Sequence, residues 1–122
     1  MSHKILVIDD ERVTQRLVTH ALKTLSVETI TASDGAEAMD VASNHNFFLA
    51  IVDINLPDID GFELIKHLKQ IETMQDVPMI AFTARNNPDD NLLAEEAGAI
   101  GFLYKPFSTQ ALRDLVKEYL PK

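Results

Sequence analysis

Three carboxylates stand where apolar runs of this chain end. Asp9 and Asp10 follow Ile5-Leu6-Val7-Ile8, and Asp53 follows Leu49-Ala50-Ile51-Val52. Thr83 follows Met79-Ile80-Ala81-Phe82, and Lys105 follows Ile100-Gly101-Phe102-Leu103-Tyr104. Singly, each has a plain structural reading: an Asp after a strand bonds a nearby backbone amide, a Thr caps, a Lys is a surface charge. Jointly they put three carboxylates, a hydroxyl and an ammonium on one rim. Carboxylates that close repel and raise one another's pKa values. A hard divalent cation relieves this, and oxygen-only ligands point to Mg²⁺ rather than zinc. Three Asp, one Lys and one Mg²⁺ sum to zero charge. Such a site leaves one carboxylate oxygen free as a nucleophile. Mg²⁺, Lys105 and the Thr83 hydroxyl are then placed to stabilise the oxygens of a transferring phosphoryl group. Asp53, alone on its strand, is the natural acceptor.

The elements that must position these groups are legible as well. Continuous apolar runs at 5–8, 49–52, 79–82 and 100–104 read as strands buried on both faces. Val27-Glu28-Thr29-Ile30-Thr31 alternates and reads as a half-exposed edge strand. Between them run helical periodicities. The predicted faces are Val13, Leu17, Ala21, Leu22 and Leu25, then Ala38, Met39 and Ala42, then Leu64, Ile65, Leu68 and Ile71. A short fourth helix would follow with Leu92, Leu93 and Ala97, and a fifth with Leu112, Leu115, Val116 and Tyr119. Asp34 with Glu37 and Asp60 with Glu63 have capping-box spacing. Asn87-Pro88 reads as a cap with Pro at the first helical position, Gly98 as a stop, and Ser108 as a cap. Strand and helix alternating five times imply an α/β fold, a (βα)₅ doubly wound parallel five-stranded sheet. The flavodoxin-like order 2-1-3-4-5 puts ligands at the carboxyl ends of the strands, between strands one and three.

The 122 residues fit one domain, 1–122, with 46% hydrophobic and 25% charged residues. There is no Cys, which excludes disulfides and thiolate metal sites. Eleven Lys and Arg against nineteen Asp and Glu give −8, a charge that opposes direct nucleic-acid binding. No apolar stretch reaches the roughly 18 residues of a membrane span, and no secretory leader is visible, so a cytoplasmic location is expected.

The chain resembles a response-regulator receiver domain of two-component signalling. The residues that carry the likeness are Asp9-Asp10, Asp53 with Pro57 and Asp60-Gly61, Thr83-Ala84, and Lys105-Pro106-Phe107. The resemblance implies that Asp53 takes a phosphoryl group from a sensor histidine kinase or a histidine phosphotransfer protein. It implies Mg²⁺ held by Asp10, Asp53 and the Asn55 backbone carbonyl, with Asp9 acting mainly through water. Lys105 would pair with phosphoryl oxygens, and its bond to Pro106 would be cis. Thr83 and Phe102 would form the switch, although Phe102 reads equally as a half-buried strand residue. Asn55 and Arg85 would tune the dephosphorylation rate, with Arg85 holding a phosphoryl oxygen or standing in solvent. The readout would be the face of the fourth helix, fifth strand and fifth helix, toward a downstream protein, an output domain or a second copy in a phosphorylation-dependent dimer. The likeness favours a bacterial source and a signalling module without separate substrate turnover.

Two other classes compete. A receiver-like interaction module that is never phosphorylated would keep the fold, but such a module tends to lose the Asp or the Lys. A flavodoxin-like cofactor binder needs a Gly-, Ser- or Thr-rich first loop to cradle phosphate, and Asp9-Asp10-Glu11 would repel one.

Overall fold

Strands and helices alternate in the computed structural model, which describes residues 3–84 and 87–121. In chain order they are β1 (His3–Ile8), α1 (Arg12–Leu22), β2 (Val27–Ala32), α2 (Gly35–Asn44), β3 (Leu49–Asp53), α3 (Gly61–Leu68), β4 (Met79–Thr83), α4 (Asp90–Ala97), β5 (Gly101–Tyr104) and α5 (Thr109–Tyr119). All strand pairs are parallel, in the order β2-β1-β3-β4-β5. This is the order expected from the sequence. β3 and β4 are buried along their whole length, whereas β2 lies at the edge and is half-buried.

Successive side chains of a strand face opposite sides of the sheet, so each apolar run feeds two cores. Leu6, Ile8, Val52 and Ala81 pack with residues of α2, α3 and α4. Ile5, Val7, Ile51, Ile80 and Phe82 pack with α1 and α5. Each fully buried Ile or Leu contributes about 2 kcal/mol, and the central strands carry several. Covering both faces with helices leaves the strand ends as the place where polar side chains emerge.

Most helix ends follow the sequence. Asp34 Oδ1 accepts the Glu37 N–H at 2.8 Å while Glu37 Oε1 accepts the Ser33 N–H at 3.0 Å. Ser108 Oγ accepts the Ala111 N–H at 3.0 Å, and Gly98, at φ 103°, ends α4 in the left-handed conformation.

Three expectations need correction. The core face of α1 is Val18, Ala21 and Leu22, while Val13 and Leu17 stand 77% and 43% exposed. Leu17 instead lines the cleft formed with Lys105, Pro106 and Phe107. In α4 the buried residues are Asp90, Ala94 and Ala97, with Leu92 and Leu93 exposed. Asn87 does not cap that helix: its Oδ1 accepts the Asp89 N–H at 3.0 Å, closing a turn ahead of α4. A 3₁₀ turn at Glu72–Met74, absent from the sequence reading, buries Met74 completely.

Candidate functional site

The strand ends converge as the topology requires. β1 and β3 are direct neighbours, with Ile8 opposite Val52, so Asp9 and Asp53 emerge side by side. β4 flanks β3 on its other edge, with Asp53 opposite Phe82. The chain after β5 then returns to the rim, and the Lys105 N–H donates to the Thr83 carbonyl at 2.8 Å. The Lys105-Pro106 peptide bond is cis, as the resemblance implied.

Lys105 is the hub. Its Nζ lies 2.7 Å from Asp9 Oδ2, 3.4 Å from Asp53 Oδ2 and 3.7 Å from Glu11 Oε1. The same ammonium stands 4.7 Å from the centre of the Phe82 ring, which packs edge-on against Phe107. Desolvation opposes charge on Lys105, but the carboxylates of Asp9 and Asp53 outweigh it and hold its pKa above the ordinary lysine value. Asp53 is 3% exposed. Burial pushes its pKa up and neighbouring Asp9 adds to this, against the lowering effects of the Asn55 N–H and Lys105. The Asn55 N–H, 3.0 Å from Asp53 Oδ1, fixes that oxygen and leaves Oδ2 facing the ammonium.

Asp9 is fully buried, and its Oδ1 accepts the Glu11 N–H at 2.8 Å. Its Oδ2 is close to Lys105 but poorly aligned for a hydrogen bond, so a lone pair remains for another cation. Asp10 is exposed at the lip. Asp9, Asp10 and Asp53 each bring a carboxylate oxygen within 4.8 Å of the others. Among the described residues no other group of three His, Asp or Glu side chains is so placed. An all-oxygen donor set with a half-open lip fits a hard divalent cation.

The expected residues thus gather, with Thr83 fully buried at the end of β4 and Asn55 exposed beside Asp53. Arg85 lies outside the described residues. Phe102 is half-buried, packs on the α2–α3–α4 core and stacks on Tyr104 at 5.6 Å between ring centres. Two residues were missed. Glu11 reaches Lys105, although its place after Asp9-Asp10 could have flagged it. Gln15 Nε2 donates to the Asp9 carbonyl at 2.6 Å and to Ser33 Oγ at 3.1 Å, bracing the loop after β1 against the start of α2. Beside the rim, Thr14, Leu17, Ala84, Lys105, Pro106 and Phe107 line an open cleft of about 300 Å³.

The match to the response regulator receiver domain model spans residues 5–117, and the chain belongs to that family. It is 38% identical over 120 residues to the alkaline phosphatase synthesis transcriptional regulatory protein PhoP of Bacillus subtilis, covering 98% of this chain and 49% of that protein. The chain therefore spans about half the length of that relative. Among solved structures, the chemotaxis protein CheY4 of Vibrio cholerae superposes with a TM-score of 0.93 at 30% identity, covering 98% of this chain and all of the other. The receiver domain of a sensor histidine kinase from Pseudomonas aeruginosa, solved with magnesium coordinated in its active-site cleft, superposes at 0.87 with 26% identity, covering 98% of each chain. The fold, the rim and the family agree on a receiver domain of two-component signalling.

Proposed function

We propose that Asp53 accepts a phosphoryl group from a phosphohistidine on a sensor kinase or phosphotransfer protein. The observation that carries this reading is the placement of Asp53 Oδ2, 3.4 Å from the Lys105 ammonium and beside two further carboxylates. Oδ2 forms the new phosphorus–oxygen bond. The phosphorus–nitrogen bond of the donor breaks, and its electron pair returns to the imidazole. Asp10, Asp53 and the Asn55 carbonyl are the residues that would hold Mg²⁺, with Asp9 acting mainly through water, and the ion when bound supplies positive charge to the phosphoryl oxygens. Lys105 supplies the second positive charge, and the Thr83 hydroxyl a hydrogen bond. The exposed Leu17 lines the rim cleft with Phe107 and gives an apolar seat for the donor protein.

Phosphorylation changes about −1 on Asp53 to about −2. Thr83 moves toward the new charge, and Phe102 follows into the space it leaves. The face of α4, β5 and α5 then changes for a downstream partner or a second copy of the chain. Leu92, Leu93, Ile100 and Tyr104 stand exposed on those elements or in the turn between them and supply its apolar contacts. Asn55 and Arg85 are the candidates for setting phosphoryl lifetime. The module signals without turning over a separate substrate, in the cytoplasm. No helix among the described residues is long and apolar enough to cross a membrane.

The test is intact-protein mass after incubation with Mg²⁺ and acetyl phosphate. A phosphate-sized gain, absent in Asp53→Asn, is expected. No gain in a protein that demonstrably binds Mg²⁺ would move the reading to a non-phosphorylated interaction module. Chemical shifts test the switch, and unmoved signals across residues 87–119 on phosphorylation would refute the proposed output face.

A further inference from the structure

The loop between β3 and α3 contains Asn55 and ends at Gly61. Its base is closed by the Gly61 N–H, which donates to the Ile54 carbonyl at 2.8 Å, and by an antiparallel bridge between Asn55 and Asp60. Its tip, residues 56–59, reaches across to α2. There Asp58 Oδ1 accepts the Gly35 N–H at 2.9 Å and Oδ2 accepts the Ala36 N–H at 3.1 Å. These are two of the first-turn amides that a helix leaves unpaired, and Asp34 already satisfies a third, that of Glu37. One helix start is thus capped twice, once locally and once by a carboxylate 22 and 23 residues away.

Gly35 shows that the docking is built into the sequence from both sides. A Cβ there would collide with Ile59 and come within 3.3 Å of both Asp58 carboxylate oxygens. No positive φ requires glycine at this position, so the close approach of the loop does. Leu56 and Ile59 add apolar contact with the core beneath the tip, while Asp58 supplies its directional hold.

We infer that Asp58, seated on the first turn of α2 over Gly35, is a positioning residue for the divalent-cation site. It holds the loop so that the Asn55 carbonyl stays aimed at the Asp9–Asp10–Asp53 cluster. This rests on the Mg²⁺-dependent reading of that cluster above. A carboxylate gripping two backbone amides fixes both position and orientation of the tip. With base and tip both fixed, Asn55 sits on a short span with little freedom. Release the tip, and the Asn55 carbonyl loses its aim, while Asp9 stays held by the Glu11 N–H and Lys105, and Asp53 by Lys105.

The experiment measures Mg²⁺ affinity by calorimetry and Asp53 labelling by acetyl phosphate over a Mg²⁺ series, in the full chain. For Asp58→Ala the Mg²⁺ dissociation constant is expected to rise about tenfold. The labelling rate should fall at low Mg²⁺ and return to the wild-type value at saturation. Asp58→Asn, which keeps one acceptor oxygen but turns a donor toward the other N–H, should recover only part of the affinity. Gly35→Ala, which pushes the tip away from the opposite side, should reproduce the loss with Asp58 intact. Lowered thermal stability with unchanged Mg²⁺ affinity in both Asp58→Ala and Gly35→Ala would make the contact purely structural and overturn the inference. Failure of the underlying reading is distinct, because it would appear as absent Mg²⁺ binding or labelling in the unmodified protein.

Discussion

The loop that leaves β3 and the helix that follows β4 both border the carboxyl end of the sheet, yet they are held in different ways. The loop is fastened at its base through Ile54, Asn55, Asp60 and Gly61, and at its tip through Asp58. Helix α4 meets the core through Ala94, Ala97 and the largely buried Asp90, and leaves Leu92 and Leu93 outside. Alanine burial supplies little free energy per residue beside the Ile and Leu of the central strands. Local opening is therefore easier on the α4 side. A cation site needs fixed donors and a signalling face needs a second arrangement of comparable energy, and under the proposed function the two sides would divide those requirements.

The strongest way to break this contrast is at the hub they share. Lys105→Ala leaves buried Asp9 and Asp53 without their ammonium and should cost about 3 kcal/mol, read from urea unfolding without metal. Adding Mg²⁺ should restore part of that stability. Next comes the fastened side: in Gly61→Ala a Cβ would strike the Asp53 carbonyl and the Ile54 backbone. A loss of about 2 kcal/mol is expected, with weaker Mg²⁺ binding.

Asp53→Asn should act in the opposite direction and stabilise the metal-free protein at neutral pH, because burial raises the pKa of Asp53. A carboxyl whose folded pKa exceeds its unfolded value binds more protons when folded. Its charged form therefore costs stability above the folded pKa, and the cost is relieved as pH falls toward 3.8, the unperturbed value. The advantage of Asp53→Asn over wild type should shrink over the same range, measured as paired melting curves. The smallest effect belongs to the loosely held side. Tyr104→Ala, 49% exposed, should change stability by less than about 0.5 kcal/mol while weakening any partner contact made by the α4–β5–α5 face. A large loss there would show that this side is as firmly built as the other.

The sheet and its rim were legible because they depend on short-range pattern. Runs such as Leu49-Ala50-Ile51-Val52 can only be buried on both faces, and parallel order then carries Asp9, Asp53, Thr83 and Lys105 to one end. The faces of α1 and α4 were less legible. Val13 and Leu17 share helical spacing with Ala21, and only the placement of the helix on the sheet decides that Val18 is in and Val13 is out. In α4 the larger apolar residues drew the prediction, but the space beside β4 and β5 takes Ala94 and Ala97 instead. Contacts such as Asp58 to Gly35 leave no periodic trace, since two loops distant in sequence meet only once the helices are placed. The reach of Glu11 toward Lys105 had a sequence signal, its place directly after Asp9-Asp10.

The hub has a consequence for biosynthesis. Asp9, Asp10 and Asp53 are all made before Lys105, whose ammonium faces Asp9, Glu11 and Asp53. Asp53 and Lys105 are 52 residues apart, and at about 5–20 residues per second that is a delay of roughly 3–10 s. During this interval the acidic rim has neither its lysine nor the last strand that delivers it. Without Mg²⁺, repulsion among these carboxylates opposes closing of the rim until β5 is available. The lysine that steadies Asp53 thus also marks the completion of the sheet.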